Sequence, residues 1–348
     1  MPETPTRLLL APLHGVTNYV YRAAYFRHFS GFDAVYAPFI LAVRSSQAKP
    51  NHFKDLLKGQ LESGTGKSSV PLIPQLIGND ATAFCETARA LAGLGYGEID
   101  WNLGCPYPMV ANKQRGSGLL PFPEKIGKIL DAACALPGIR VSVKLRLGRS
   151  DPQDIVRLMP VLNAHPLSLV IIHPRLGTQM YKGTVDLDAF ARAASLCAHP
   201  VVYNGDINTA AEFAALKTRF PNVAEWMIGR GALANPFLPE EIRASEAAGR
   251  IAGVAETPIA AGDPSVSGNP ETHARVARLR AWHRDLYASY RDVLCGPAHV
   301  LDKMKEVWWY LGAFFPQEGK ALERITRVKT FADYESAVSI LLGELLGN

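Results

Sequence analysis

Apolar residues along this chain cluster in short, β-rich runs at regular intervals. They fall at 8–15 (LLLAPLHG), 33–40 (DAVYAPFI), 71–78 (PLIPQLIG) and 98–105 (EIDWNLGC). They recur at 140–148 (RVSVKLRLG), 167–175 (LSLVIIHPR), 200–207 (PVVYNGDI) and 225–232 (EWMIGRGA). Between them the pattern switches to a helical period, as in ATAFCETARALAGLG (81–95) and AAEFAALKTRF (210–220). Runs that are apolar throughout predict strands buried on both faces, as in a parallel sheet. Eight strand–helix units over roughly 240 residues predict an α/β fold, the (β/α)8 TIM barrel. A doubly wound open sheet would want a G-x-G-x-x-G turn after an early strand, and the chain has none.

The rhythm stops near Pro239. Residues 246–270 are small, rich in Pro and Gly and without periodicity, which predicts a linker. From Glu271 to Asn348 the helical period returns, predicting a small C-terminal helical bundle. The expected division is therefore a barrel over 1–245, a linker over 246–270 and a helical domain over 271–348.

Composition adds bounds. Apolar residues make up 48% of the 348 positions and charged residues 20%, enough for a full core. The net charge of +5 permits a polyanionic partner without demanding one. The five cysteines are odd in number and lack C-x-x-C spacing. That argues against a disulfide framework or a structural metal site and favours a reducing, cytoplasmic setting. No run of eighteen apolar residues suggests a membrane span.

In such barrels chemistry collects at the C-terminal ends of the strands. Here those ends carry Leu13 and His14, Gln75, Asn102 and Cys105, Lys144 and Arg146, and His173 and Arg175. The last two carry Asn204-Gly205-Asp206 and Gly229-Arg230-Gly231. The glycine turns at 204–206 and 229–231 suit a phosphate, or serve only as tight turns. Lys144 in an apolar strand needs an anion or acceptor, such as a cofactor ring, unless it snorkels to solvent. Cys105 lies between Gly104, which admits close backbone approach, and Pro106, which ends the strand. A thiol with a pKa of about 8.5 is mostly protonated at neutral pH and can act as a general acid. A nucleophilic role would need a base such as His14 or His173 beside it. The other four cysteines read as packing residues.

The ordered series LAPLHGVTN, PQLIG, NLGCP, SVKLRLG, IIHPRLGTQMYKG, NGDI and IGRGAL resembles the tRNA-dihydrouridine synthases from about Leu8 to Asn235, and KMKEVWWYL extends the likeness more loosely. The resemblance implies an FMN-dependent reductase converting uridine in tRNA to 5,6-dihydrouridine, with NADPH as reductant. Hydride would pass to C6 of the uracil, and Cys105 would protonate C5. It implies flavin contacts from Pro12, Leu13, His14, Gln75, Lys144 and His173, and from Asn204, Gly205, Asp206, Gly229 and Arg230 on the phosphate side. Asn102 and Arg175 would lie near the substrate base. The chain departs from the family where Leu13 replaces the commoner methionine, where His14 replaces an acidic or small residue, and where HPRLG replaces H-G-R-T.

RNA contacts would come from the helical domain; Lys113 and Arg115 in the loop after Cys105 could touch RNA phosphate or be plain solvated charges. Arg275 with Arg278, and Lys303 with Lys305, have helix-compatible spacing for a basic face. Trp308-Trp309-Tyr310 fits either base stacking or packing against the barrel. Four competing functions remain open. They are a flavin barrel acting on a free small molecule, a dihydrouridine synthase acting on ribosomal RNA, an RNA-binding scaffold without turnover, and an aldolase-type barrel with a Schiff base at Lys144.

Overall fold

The structure is a computed structural model and describes residues 6–57, 70–252, 270–315 and 318–345. Its strands are β1 (Arg7–Leu10), β2 (Ala34–Tyr36), β3 (Ile40–Leu41), β4 (Leu72–Ile73), β5 (Gln75–Ile77) and β6 (Glu98–Leu103). They continue with β7 (Arg140–Gly148), β8 (Val170–Leu176), β9 (Val201–Asn204) and β10 (Glu225–Ile228). Every pairing is parallel, in the order β3-β5-β6-β7-β8-β9-β10-β1-β2-β4.

The two ends of that order meet. β4 and β5 are halves of one strand interrupted at Pro74, and β2 and β3 are halves of another. Pro74 has no N–H to give to a ladder. Its carbonyl accepts from the Asp100 N–H at 2.9 Å, while the neighbouring Ile73 carbonyl accepts from the Ala37 N–H at 2.9 Å. The 72–77 segment thus bonds to strands on both sides and closes a cylinder of eight. This is the TIM barrel the spacing of apolar runs predicts.

Helices follow in the α/β order: α1 (Tyr19–His28), α2 (Lys54–Leu57), α3 (Ala81–Gly93), α4 (Pro108–Ala111), α5 (Pro123–Cys134), α6 (Gln153–Asn163), α7 (Leu187–Leu196), α8 (Ala210–Arg219), α9 (Arg230–Ala234) and α10 (Leu238–Ala252). Polar residues at their starts stop the strand and begin the helix. The Asn18 side chain accepts from Val20 N and Tyr21 N, and Asp80 caps α3. Thr209 and Glu212 form a capping box on α8.

Two cores result from the alternation of each strand. Leu9, Ala34, Tyr36, Ile73, Ile171, Val202 and Met227 fill the barrel interior. Leu8, Leu10, Trp101, Val143, Ile172, Tyr203 and Trp226 face the helices. Toward the C-terminal end the interior face turns polar, with Gln75, Asp100, Asn102, Ser142, Arg146, His173 and Asn204 all buried. The central strands are therefore not apolar on both faces: their inward residues carry the chemistry.

Helix α10 runs to Ala252, so residues 246–252 are helical rather than linker. The rest of the expected linker, 253–269, lies outside the described residues. The C-terminal bundle contains α11 (Pro270–Val293), α12 (Gly296–Leu311), α13 (Glu318–Arg327) and α14 (Phe331–Glu344). Its α11 packs on α1. The Trp282 ring lies 6.0 Å from Tyr21 and 5.7 Å from Phe29, centre to centre. Inside the bundle Trp308 Nε1 donates to the Tyr334 hydroxyl at 2.9 Å, and burial pulls the adjacent His283 down to about pKa 4.

Candidate active site

A cavity of about 540 Å³, counted with its open mouth, sits at the C-terminal ends of the strands. Pro12, Leu13, Lys144, His173, Asn204, Gly205, Asp206, Gly229 and Arg230 line it, together with Tyr181, Asn208 and Gly231. These residues come from five strand ends, which only closure of the barrel brings together.

The phosphate-side turns are tightly built. A Cβ at Gly231 would lie 2.0 Å from the Ile207 carbonyl oxygen, so no side chain fits there. Asp206 holds a left-handed backbone, φ +38°. Its carboxylate takes both Arg175 and Arg230, the latter at 2.8 Å. The Gly229 and Arg230 N–H groups have no acceptor among the described residues. Asn204 donates from Nδ2 to the Met227 carbonyl at 2.8 Å.

Positive charge dominates this end of the barrel. Arg146, buried, donates to the Leu176 carbonyl at 2.8 Å. Burial holds its pKa down to about 10. The Arg146 and Arg230 guanidinium carbons each lie 5.2 Å from the Tyr181 ring centre. Lys144 lies half-buried with no hydrogen-bond acceptor among the described residues. Burial and then Arg146 lower its pKa to about 8, against the pull of Asp100. Burial, with Arg146, Lys144, Arg175 and Arg230 adding to it, keeps His173 neutral. Its Nε2 stands 3.1 Å from Arg175 Nη1, which can only donate, so the ring proton belongs on Nδ1.

Gln75, Asn102 and Cys105 form a second, contiguous group behind the cavity. Gln75 Nε2 donates to Asp100 Oδ2 at 2.7 Å, and Asn102 Nδ2 donates to Gln75 Oε1 at 2.7 Å. Asn102 Oδ1 accepts the backbone N–H groups of Cys105 (2.8 Å) and Gly104 (3.0 Å). Ser142 Oγ donates to the other Asp100 oxygen at 2.9 Å. Burial lifts Asp100 to about pKa 7, against hydrogen bonds from Gln75 and Ser142 and the charge of Lys144.

The Cys105 thiol is buried, and burial raises its pKa against the Tyr107 N–H and the charges of Arg146 and Arg149. Tyr181, which lines the cavity, lies within electrostatic reach of Cys105. The turn after the cysteine closes over it. The Cys105 carbonyl accepts from Ser117 N and Ser117 Oγ, both at 3.0 Å. Gly116, with φ +56°, sits so close that a Cβ would lie 2.8 Å from that of Cys105.

His14 and Arg175, like Gln75, Asn102 and Cys105, lie outside the cavity lining. His14 is exposed and stacks on Phe39 at 4.6 Å, outside the cavity lining. Gly15 follows at φ +88°, where the chain turns away from the strand axis. Arg175 is 2% exposed, and its guanidinium is taken up by Asp206, His173 and the Gly183 carbonyl. Its Nε is buried without a hydrogen-bond partner among the described residues.

The basic pairs of the tail are also engaged. Arg278 meets Glu240, and Arg275 meets Glu241 and covers the Phe237 ring at 4.3 Å. Lys303 donates to the Gly15 carbonyl and Lys305 to the Val328 carbonyl, both at 2.8 Å. Trp308 is fully buried, whereas its neighbour Trp309 is 67% exposed. Tyr181 lies within the IIHPRLGTQMYKG stretch but was not singled out there, and Asp100 carries no motif of its own. The signal for Asp100 was its position two residues before Asn102 on an alternating strand, which puts both on the inner face.

A closed parallel barrel with a cationic strand-end cavity and a protonated thiol beside it defines a barrel enzyme built for an electron-rich, phosphate-bearing ligand. The family described as dihydrouridine synthase (Dus) matches residues 9–257. The tRNA-dihydrouridine(16) synthase of Cupriavidus necator is 31% identical over 240 residues, covering 68% of this chain and 74% of that one. The enzyme of the same name from Ralstonia nicotianae is 30% identical over 259 residues, covering 74% and 78%. This chain belongs to the dihydrouridine synthase family. Among solved structures, the old yellow enzyme from Trypanosoma cruzi superposes with a TM-score of 0.50 at 13% identity, covering 68% of this chain and 88% of that one. Histamine dehydrogenase from Rhizobium sp. 4-9 gives 0.53 at 11%, covering 70% and 47%. At such identities the likeness is one of fold.

Proposed function

We propose that this protein reduces uridine in tRNA to 5,6-dihydrouridine, with FMN in the strand-end cavity and NADPH as the reductant. When bound, the flavin supplies hydride to C6 of the uracil. The cavity's own residues fit such a ligand. Lys144 offers a cation that lacks an acceptor among the described residues, and the Gly229 and Arg230 N–H groups and Arg230 itself offer donors for a phosphate. His173 presents Nδ1–H as a neutral donor.

Cys105 gives the proton at C5. The observation that carries this reading is a thiol kept protonated by burial and set within reach of a cavity-lining tyrosine. A protonated thiol serves as an acid and a poor nucleophile. The uridine must leave its stack to enter. Tyr181 lines the cavity, and Tyr107 and the half-buried Tyr310 lie within electrostatic reach of it. Tyr107, Met109 and, on α12, Trp309 are exposed. Such side chains suit stacking on the bases of an RNA. We take position 16, the position in the names of the two relatives above, as the target, and the cytoplasm as the setting. All five cysteines are free thiols, and among the described residues no helix is long and apolar enough to cross a membrane. Among them, too, no group of three His, Cys, Asp or Glu side chains could hold a metal.

The test is mass spectrometry of cellular RNA with and without the gene, mapped by position. Loss of dihydrouridine at tRNA position 16 is expected. Loss in ribosomal RNA, or turnover of free uridine equal to that of tRNA, would overturn the proposal. In vitro, Cys105→Ala should keep its flavin and its oxidation of NADPH but lose at least a hundredfold in uridine reduction, the scale of a missing general acid at about 10²–10⁴.

A further inference from the structure

We propose that Asp100 is a positioning residue whose carboxylate fixes the donor and acceptor sense of the Gln75 and Asn102 amides, and through them the turn that carries Cys105. An amide side chain can sit in two orientations of nearly equal shape, and only its partners choose between them. Here one end of the chain is two backbone N–H groups that can only donate, and the other is a carboxylate that, once ionised, can only accept. The Asp100 carboxylate receives Ser142 Oγ–H on one oxygen and Gln75 on the other. That turns the Gln75 nitrogen toward it and leaves Gln75 Oε1 facing Asn102. Asn102 must then donate to Gln75, which leaves its Oδ1 for the Gly104 and Cys105 N–H groups. Those two can only donate. Every donor in the chain points toward Asp100 and every acceptor toward Cys105.

The geometry explains why a carboxylate is buried here at all. Asp100 is 0% exposed, an unfavourable place for a charge unless its hydrogen bonds serve something. The register sets the pieces side by side, Gln75 opposite Asp100 and Asn102 opposite Lys144. Each amide retains one N–H after the chain is satisfied.

This inference rests on Cys105 being the reacting group, but its test reads the position of the thiol and not turnover. The probe is iodoacetamide alkylation of the cofactor-free protein, followed at Cys105 and at Cys85 by peptide mass spectrometry. Cys85 is equally buried, in α3, and reports general loosening. Asp100→Leu should raise the Cys105 rate about tenfold relative to Cys85, the consequence of a lost backbone hydrogen bond of about 1 kcal/mol or more. Asp100→Asn, whose carbonyl can still accept from Gln75, should stay within about twofold of the parent, because the sense survives. If Asp100→Leu does not fold, Gln75→Met cuts the same chain at its middle and should give the same rise. An unchanged Cys105-to-Cys85 ratio in the folded variants would overturn the proposal. So would an Asp100→Asn effect as large as that of Asp100→Leu, since the role would then be charge. Failure of uridine reduction in the unmodified protein would sink the functional proposal and leave this result standing.

Discussion

Asp100 and Lys144 share the barrel interior, and burial pushes both toward neutrality, Asp100 up to about pKa 7 and Lys144 down to about 8. The consequence for stability has a definite sign. Unfolded, Asp100 returns to the ordinary aspartate value of 3.8. Between those values the folded protein holds the proton more tightly, so the contribution of Asp100 to stability is greatest at low pH and falls as pH rises toward 7. The melting temperature of the wild type relative to Asp100→Asn should therefore drop between about pH 4 and 7 and level off above. A difference that does not vary with pH would show that the carboxylate is not perturbed. The polar strand-end residues stood out in the sequence, because a polar side chain in an apolar run is conspicuous. What sequence could not show is which neighbour each one meets: Phe39 beside His14 and Asp206 on Arg175 lie in another strand's loop.

At the scale of elements, the loop from Cys105 to Leu119 sets the thiol. Gly116 occupies a left-handed conformation that costs an L-residue about 1–2 kcal/mol, and its Cα faces Cys105 at a distance no Cβ could share. Gly116→Ala should keep the flavin and the fold while lowering kcat at least tenfold, as single-turnover measurements would show. Equal rates would mean that the loop tolerates displacement. The eight strands were legible because their helix-facing residues, with the apolar part of the barrel interior, make dense β-rich runs even where the inward positions are polar. The interruptions at Pro74 and at residues 37–39 were not. A proline inside a strand reads as an end unless the neighbouring strands are known. Helix α10 also outran its expected end, because small residues carry little amphipathic signal and are still good helix formers.

For the whole molecule, the joint between barrel and bundle decides what can be tested. Removing residues 271–348 would strip Trp282 from Tyr21 and Phe29 and expose the outer face of α1. Loss of RNA affinity in such a truncation could not be told from damage to the barrel. Point changes are cleaner. Trp282→Ala should lower stability by about 3–5 kcal/mol, the usual penalty for a buried aromatic. It should do so in a single denaturant transition, because the joint is continuous with the barrel core. Two separated transitions would instead make the bundle an independent unit. The helical tail was legible as helices, but its basic residues were not legible as joint-formers. Periodicity gives the face a charge lies on and not what is packed against that face.

Four of the five tryptophans, Trp101, Trp226, Trp282 and Trp308, are sealed in the interior, and Trp309 alone stands in solvent, on α12. The protein is thereby labelled by nature at the place where RNA is proposed to arrive. Excited in the ultraviolet, only Trp309 should be quenched by iodide, and added tRNA should shield that fraction of the emission. In Trp309→Phe both responses should vanish while the remaining blue-shifted light is unchanged.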